Sequence, residues 1–171
     1  MTIIIGLGNI GVQYQNTFHN LGFKVIDCLA NKMGITLDKE KYKSIIGQGS
    51  FQGENILLAK PTTYMNNSGQ AAALMKKKFP LARIIVAVDD IDLPKGKVRY
   101  REHGSPGTHN GLRSLVEYIG EDFERVRIGI GRDEGLDLAD YVLSNIKPDE
   151  RKLFDEAVEL AADTIISKIS S

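Results

Sequence analysis

The sequence predicts a single α/β domain with a mixed, twisted sheet flanked by helices. Three observations support this fold class. The chain has 171 residues, which is the usual length of one domain. Apolar strand-like runs alternate with amphipathic helical segments along it. We find no internal repeat, low-complexity stretch or linker, so we expect one domain over residues 1–171.

The chain opens with a strand and a helix. Residues 2–7 form a near-continuous apolar run that includes glycine near its end, as expected of a central strand buried on both faces. Helical spacing of apolar residues then covers about 21–33. Gly34 ends this predicted helix.

A hairpin and a second helix are predicted next. Two strand-like runs at about 44–51 and 55–60 are joined by the polar junction at 53–54. After a loop, Ser68 is predicted to be the N-cap of a helix over about 69–79.

The middle of the chain predicts three strands and a helix. An apolar run at 84–88 reads as a buried strand, and a charged strand follows at about 97–101. A glycine-rich loop at 104–108 precedes a helix over about 109–119, after which a strand is predicted at about 125–130.

The C-terminal part is predicted to be helical. Tyr141 to Ile146 forms one short helix, and Pro148 lies near the start of a final amphipathic helix. The apolar positions of the final helix are Leu153, Val158, Ala161, Ile165 and Ile169.

Composition excludes several classes of protein. The net charge is zero, from 22 basic and 22 acidic side chains, so a nucleic-acid partner would have to be recognised by a local patch. No stretch reaches the ~20 apolar residues of a membrane-spanning helix, and the N-terminus does not resemble a signal peptide. The single cysteine, Cys28, excludes an intramolecular disulfide. We therefore expect a cytoplasmic protein.

The glycine motif at 6–11 matches the dinucleotide-binding fingerprint literally, and Asp27 follows about twenty residues later. In that fingerprint, however, the helix opens inside the motif so that its amides face the pyrophosphate. Here residues 12–20 have no helical apolar stripe, and Asp27 would lie inside the later helix. We expect an irregular loop rich in side-chain amides, and a nucleotide-dependent oxidoreductase is the weaker alternative.

His19 is the candidate general base. It lies in a loop between a strand and a helix and is flanked by Asn16 and Asn20. A histidine has an ordinary pKa near 6.5, so it can take and return a proton at neutral pH. The alternative is a histidine that only bonds its neighbours, and His103 and His109 compete for the same role.

Three carboxylates, Asp89, Asp90 and Asp92, follow the buried strand at 84–88. Open α/β sheets gather their binding crevice at this end of their strands. One of the carboxylates can hold the second ring nitrogen of a histidine, as in hydrolytic triads. The alternatives are turn carboxylates or cation ligands. Because neither the acids nor the histidines have a calcium or zinc spacing, we predict no metal.

Amides and hydroxyls complete the candidate chemistry. Asparagines that stand in loops or at helix starts are Asn9, Asn66, Asn67 and Asn110. An amide both donates and accepts, which suits a peptide ligand, although each one alone is more often a cap or turn residue. Neither Ser68 nor Ser105 lies in a Gly-x-Ser-x-Gly elbow. We therefore predict direct attack by an activated water without a covalent intermediate.

A local basic stripe follows the acidic residues. Its members are Lys95, Lys97, Arg99 and Arg101, with Arg113, Arg125, Arg127 and Arg132 as a possible extension. A strand would direct at least the last three of the stripe to one face. Such a face suits phosphates, and the alternative is a solvated face or a set of ion pairs.

Four sequence blocks together resemble the bacterial peptidyl-tRNA hydrolase family. They occur in the family's order within residues 1–145. The blocks are Gly6-Leu7-Gly8-Asn9-Ile10-Gly11 with Tyr14 and His19-Asn20, then Lys60-Pro61-Thr62-Thr63-Tyr64-Met65-Asn66, then Asp89 to Gly96, and Gly104 to Leu112.

The resemblance implies a monomeric α/β enzyme that hydrolyses the ester between a peptide and the terminal ribose of tRNA, so that the tRNA is recycled. It implies no cofactor. His19 matches the family's catalytic base and Asp89 the carboxylate that supports it. Asn9 is expected to help distinguish a blocked from a free α-amino group.

The resemblance also implies a substrate-binding set around these residues. Asn66 and Asn110 are expected to hold the peptide or the ribose, and Tyr14 and Tyr64 to form walls of the site. Basic positions expected near tRNA phosphates are Arg101 and Arg127.

This chain departs from the family pattern at three positions. Ile10 stands where many members have proline, Phe18 replaces the usual arginine before His19, and Thr108 interrupts the usual Gly-Gly before the His-Asn pair. We expect an active enzyme with altered affinity. The rival interpretation is a protein that keeps the tRNA or peptide groove but has little turnover.

Overall fold

A seven-stranded mixed sheet organises the chain. The computed structural model describes residues 1–170, and Ser171, the last residue of the predicted domain, lies outside the described residues. The strands are β1 (Thr2–Gly6), β2 (Lys39–Lys41), β3 (Ser44–Phe51), β4 (Glu54–Pro61), β5 (Arg83–Asp90), β6 (Val98–Arg101) and β7 (Glu124–Gly129). They lie in the order β2-β3-β4-β1-β5-β7-β6, in which β4, β1, β5 and β7 are parallel. The predicted α/β class with a mixed sheet is confirmed.

Five α-helices cover the two faces of the sheet. They are α1 (Leu21–Met33), α2 (Ser68–Lys78), α3 (Asn110–Ile119), α4 (Leu138–Val142) and α5 (Arg151–Ile169). Because side chains alternate along a strand, Ile4 packs in the layer of α1 and α5, while Ile3 and Ile5 pack in the layer of α2 and α3. None of the helices described up to residue 170 combines the length and apolar character needed to cross a bilayer.

The start of α1 lies against the end of β1. A Cβ atom on Gly6 would overlap the carbonyl of Gly22, so glycine at this position allows the close approach. The glycine motif itself does not open a helix, since two short 3-10 turns follow it and α1 begins only at Leu21. This confirms the irregular loop expected from the sequence and removes the structural basis of the dinucleotide alternative.

The hairpin turn and the start of α2 differ from the prediction. Gln52 and Gly53 form the turn, rather than Gly53 and Glu54, and their φ values of 51° and 80° are those of a two-residue hairpin turn. Ser68 is the first residue of α2 and not its N-cap. Its hydroxyl donates to the carbonyl of Met65 at 2.7 Å.

The helix predicted over 141–146 is displaced. α4 ends at Val142, and the segment after it runs alongside the loop that carries His19. There the amide of Phe18 donates to the carbonyl of Ser144 at 3.2 Å. This pairing between distant parts of the chain competes with helix formation and ends the helix early.

Candidate active site

The candidate active site lies where β1 and β5 end. His19 stands in the 3-10 turn Phe18–Asn20, which leads directly into α1. Asp89 lies near the end of β5 and is 2% exposed. His109 is the N-cap of α3. Three elements thus bring these side chains to one edge of the sheet, as is usual for the carboxyl ends of parallel strands.

Asp89 bonds both histidines. Nδ1 of His19 lies 2.9 Å from Oδ2 and 3.1 Å from Oδ1 of Asp89. Nε2 of His109 lies 3.0 Å from Oδ1 of the same carboxylate. The two imidazole centroids are 4.9 Å apart. The structure therefore brings together the predicted pair, His19 and Asp89, and adds a second histidine to it.

The hydrogen bonds assign a tautomer to each ring. Because an ionised carboxylate only accepts, Nδ1 of His19 and Nε2 of His109 carry protons. Nδ1 of His109 accepts from the amide of Leu112 at 3.2 Å, so His109 is a neutral ring with both nitrogens engaged. Nε2 of His19 has no hydrogen-bond partner within residues 1–170 and keeps a lone pair for proton transfer.

Burial and charge act in opposite directions on this pair. Burial disfavours a charged His19, but the charge of Asp89 and the hydrogen bond to it outweigh burial and raise the pKa of His19 above its ordinary value near 6.5. Burial also disfavours the charged form of Asp89, which alone would raise its pKa. The two histidines outweigh this effect and hold the pKa of the carboxyl below its ordinary range. Asp89 is therefore ionised at neutral pH.

A cavity of about 140 Å³ opens beside His19. Its polar lining comes mainly from the end of β5 and the start of α3, and α4 adds apolar side chains. The lining includes His19, Asp89, Ile91, His109, Asn110, Arg127, Leu138, Ala139 and Val142. A few polar groups within a partly apolar cavity suit an ester or amide that carries apolar substituents.

Asn9 is fixed by its neighbours. Its backbone amide donates to Oδ1 of Asn20 at 2.8 Å, and its carbonyl accepts from Nδ2 of Asn20 at 2.9 Å. Its side-chain oxygen accepts from the amide of Met65 at 2.7 Å. Because the oxygen is engaged, the amide of Asn9 is oriented with its Nδ2 group left as a donor for a ligand.

Tyr64 has an unusual backbone conformation next to this contact. Its φ of 61° is in the region that favours glycine, which costs of the order of 1–3 kcal/mol for an aromatic residue. The turn buries Met65 and aims its amide at Asn9, while the ring of Tyr64 is 52% exposed. The predicted wall residue is thus a surface ring on a strained turn.

Asn66 and Asn110 stand on neighbouring elements. Asn66 is exposed in the turn after Met65, and Asn110 is the exposed first residue of α3 and lines the cavity. A Cβ atom on Gly111 would overlap the sulfur of Met65, so the turn and α3 touch beside the two asparagines. Tyr14, the other predicted wall residue, is half-buried and does not line the cavity.

A basic face lies on β6 and β7 beside the cavity. Arg99 and Arg101 of β6 and Arg127 of β7 share one side of the sheet, and Lys97 is exposed just before β6. Arg99 lies directly opposite Arg127, and like charges in opposed positions repel each other. Arg127 contacts Asp90 at 3.4 Å, whereas Arg101 is exposed on the edge strand.

Arg125 is buried, which corrects its assignment to the basic surface. Its side chain is fully shielded and donates to the carbonyls of Gly104 and Glu121, the latter at 2.9 Å. The guanidinium also lies 4.2 Å from the ring centroid of Phe123. Burial lowers the pKa of Arg125. The residue therefore fastens the glycine-rich loop that leads to His109.

His19, Asp89 and His109 also form the only cluster of three or more histidine, cysteine or acidic side chains within residues 1–170 that could hold a metal ion. One donor atom from each of His19, Asp89 and His109 lies within 4.8 Å of the others. The same atoms are joined by hydrogen bonds, so an ion would have to replace the ring protons that face the carboxylate. That no metal is needed stays a prediction, and activity after chelation would test it.

The sequence predicts His109 only as a competitor of His19, whereas in the structure it is a second partner of Asp89. A signal was present, because a polar residue directly before a helical pattern is a candidate N-cap. Helix starts and strand ends meet at the same edge of an α/β sheet. Together these two facts predict that His109 lies close to the acidic residues at the end of β5.

Comparisons with known proteins point to one family and one fold. A family model described as peptidyl-tRNA hydrolase matches residues 3–171. A peptidyl-tRNA hydrolase of Caldanaerobacter subterraneus subsp. tengcongensis is 50% identical over 169 residues, which is 97% of this chain and 91% of the relative. The crystal structure of a peptidyl-tRNA hydrolase from Acinetobacter baumannii has a TM-score of 0.87 at 37% identity, covering 98% of this chain and 91% of that one.

A likeness of fold alone extends further. A 5′-methylthioadenosine nucleosidase of Arabidopsis thaliana has a TM-score of 0.56 at 10% identity, over 99% of this chain and 96% of that one. At this level of identity the chemistry of the nucleosidase does not transfer.

Proposed function

This chain belongs to the peptidyl-tRNA hydrolase family and is an enzyme of that class, and we propose that His19 activates the water that cleaves its substrate. The bond attacked is the ester between a peptide, or an N-blocked amino acid, and the terminal ribose of tRNA. The contact of Nδ1 of His19 with both oxygens of Asp89 carries the proposal. It orients the ring and leaves Nε2 as the base beside the cavity.

The reaction needs one proton to move twice. Nε2 of His19 takes a proton from water as the oxygen attacks the ester carbonyl carbon, and Asp89 stabilises the imidazolium that forms. The tetrahedral intermediate then collapses, the bond to the ribose oxygen breaks, and His19 returns the proton to that oxygen. The products are a tRNA with its terminal hydroxyl restored and a carboxylic acid, which loses its remaining proton to solvent at neutral pH.

Amide groups are proposed to hold the acyl part. The side chain of Asn9 is oriented because its oxygen accepts from the amide of Met65, so its Nδ2 group is left as a donor. This donor suits the carbonyl oxygen of a blocked α-amino group. A free α-ammonium group only donates, so it could not accept this hydrogen bond. We assign Asn110 and Asn66, at the touching ends of α3 and its neighbouring turn, to the peptide or ribose. Tyr64 and Tyr14 are assigned to the outer walls.

The surroundings of Ser68 and Ser105 favour attack by water over attack by a serine nucleophile. The Ser68 hydroxyl is buried and donates to the carbonyl of Met65. Ser105 makes no hydrogen bond to a histidine in the part of the chain that the structure describes, although its carbonyl accepts from Arg127 at 3.1 Å. Neither serine therefore has the adjacent base that a nucleophile requires.

The basic face is proposed to bind the phosphates of the tRNA acceptor stem. Arg127 lies both on this face and in the cavity lining, so it links backbone recognition to the reacting ester. Arg101, exposed on the edge strand, extends the contact away from the cavity. Contacts to phosphates position a nucleic acid without reading its sequence. We further propose that the enzyme acts as a cytoplasmic monomer, without a cofactor or metal.

Hydrolysis of N-acetylaminoacyl-tRNA tests the proposal. Release of the blocked amino acid is measured under single-turnover conditions for wild type, His19→Ala and His103→Ala. His103 is the matched control because it is exposed and its only ion pair within residues 1–170 is with the adjacent Glu102, at 3.9 Å. We expect His19→Ala to lose about 10²–10⁴-fold in rate while His103→Ala keeps the wild-type rate.

Two outcomes would contradict the proposal. Equal rates for wild type and His19→Ala would remove His19 from the chemistry. Tight tRNA binding with no release by wild type would favour the rival, a binding protein with little turnover.

A further inference from the structure

We propose that Phe18 is a positioning residue for this reaction: its buried ring fixes the catalytic turn and the α4 wall of the cavity as one unit. The inference rests on the proposed role of His19, the next residue in the chain. It concerns how that residue is held and adds no chemical step.

The ring of Phe18 is clamped between two other rings. It is 3% exposed, with its centroid 4.9 Å from that of Tyr141 at an interplanar angle of 36°, and 5.4 Å from that of Phe154 at 73°. Both distances are in the range of favourable aromatic pairs. The hydroxyl of Tyr141 donates to the carbonyl of Ile130 at 2.5 Å, which anchors the clamp to the end of β7.

The backbone around Phe18 is tied to the same segment. The amide of Phe18 donates to Ser144 at 3.2 Å, and the amide of Ile146 donates to the carbonyl of Asn16 at 2.9 Å. Between them, Thr17 forms an isolated antiparallel bridge. The residues before His19 thus pair with the residues after α4 like two short strands.

These contacts couple two parts of the site. On one side of Phe18 the chain continues into His19, whose Nδ1 meets Asp89. On the other side the ring meets Tyr141 of α4, whose Leu138 and Val142 line the cavity. A shift of Phe18 therefore moves the base and the apolar wall together. A displacement of about 1 Å at a reacting group can cost about 10²-fold in rate.

The experiment compares Phe18→Leu with Phe79→Leu. Phe79 is the control for loss of a ring away from the site, because it is partly buried in the other core layer and packs edge-on against Tyr42 at 6.3 Å. Rates are measured at a temperature where circular dichroism shows both variants folded. We expect Phe18→Leu to lower kcat by about 10- to 100-fold, with a smaller effect on KM, while Phe79→Leu leaves both at wild-type values.

A pH profile separates positioning from general destabilisation. The contact with Asp89 raises the pKa of His19, so loosening it moves the acidic limb of kcat to lower pH, toward the ordinary histidine value. A purely structural loss would leave this midpoint in place. If Phe18→Leu does not fold, Phe18→Met and Tyr141→Leu carry the same test.

The clamp also predicts non-additive losses. If Phe18 acts through Tyr141, the double variant Phe18→Leu/Tyr141→Leu is no slower than the slower single variant. The inference would be overturned if the rate losses of the two single variants multiplied in the double variant. It would also be overturned if the pH profile of kcat for Phe18→Leu were identical to that of wild type. Either result would leave the proposed function standing as long as wild type is active and His19→Ala is not.

Discussion

The candidate catalytic centre and the basic face lie next to neighbouring residues of β5, but their charges are arranged in opposite ways. Asp89 points to the layer of α1, where it is buried and bonded to His19 and His109. Asp90 points to the other side and contacts Arg127 of the basic face. The charges of the centre are satisfied within the chain, whereas cations outnumber acids on the basic face. The first region is therefore organised before substrate arrives, and we propose that the second binds the substrate's phosphates.

The largest difference between the two regions is expected when each carboxylate, Asp89 or Asp90, is exchanged for an amide. In Asp89→Asn, the amide has a donor group where two ring N–H groups each need an acceptor, so one histidine must leave or change tautomer. We expect kcat to fall by about 10²–10⁴-fold. Asp90→Asn changes a carboxylate that also lines the cavity but contacts Arg127 instead of a histidine, so it should keep kcat and lower KM slightly as Arg127 loses its acidic partner.

Single-turnover and steady-state rates on the same N-acetylaminoacyl-tRNA would measure both effects. Similar losses in the two variants would mean that the centre is not distinguished by the bonds of Asp89.

The second histidine provides a sharper test of the centre. His109→Asn keeps a side chain that can cap α3 by accepting from Leu112, but it is too short to bond Asp89 as well. We expect a thermal midpoint close to that of wild type and a loss of roughly tenfold in kcat from the unbalanced carboxylate. Thermal unfolding measured beside kcat checks this. A stable variant with full activity would restrict His109 to capping.

The candidate catalytic centre should make the rate depend on pH. His19 acts as a base only when neutral, so kcat rises as pH increases through its pKa. Since Asp89 raises that pKa, we expect the midpoint of the acidic limb above 6.5. A pH profile of kcat at saturating substrate measures it, and a midpoint below 6.5 would contradict the assignment. Added salt should shift this midpoint little because the pair is buried.

The smallest effects are expected on the basic face. Arg101→Gln should raise KM a few-fold, leave kcat unchanged and reduce the slope of log KM against log salt concentration by about one, since one phosphate contact is lost. Lys152→Gln, on the exposed side of α5 in the other layer, is the charge-matched control. Equal salt slopes for the two variants would place tRNA binding elsewhere.

Much of the fold was predictable because local signals agree with the tertiary structure. The bounds of α1 follow from apolar periodicity and from Gly34, whose φ of 67° ends the helix as glycine allows. β1 was predictable because a strand buried on both faces has an apolar sequence. β2 was missed because three charged residues, Lys39–Lys41, carry no strand signal and form an edge only by pairing with β3.

The candidate site was predictable in part. The association of His19 with Asp89 followed from strand-end logic and the family resemblance. Arg125 could not be predicted as buried, because alternation along β7 gives it the same face as Arg127 and only the loop over it removes the solvent. The clamp around Phe18 depends on a segment more than a hundred residues later, which no local pattern reveals.

The residues before His19 pair with residues 144–146, so the site needs a segment that is synthesised late. In order of synthesis, Asn9 and His19 come first, Asp89 halfway, and His109 and Tyr141 late. A growing chain is itself a peptide esterified to a tRNA, the kind of molecule that this family cleaves. Until residue 146 has left the ribosome, the turn that holds His19 has no partner strand and the cavity has no α4 wall. The candidate site is therefore complete only after most of the sequence has been synthesised.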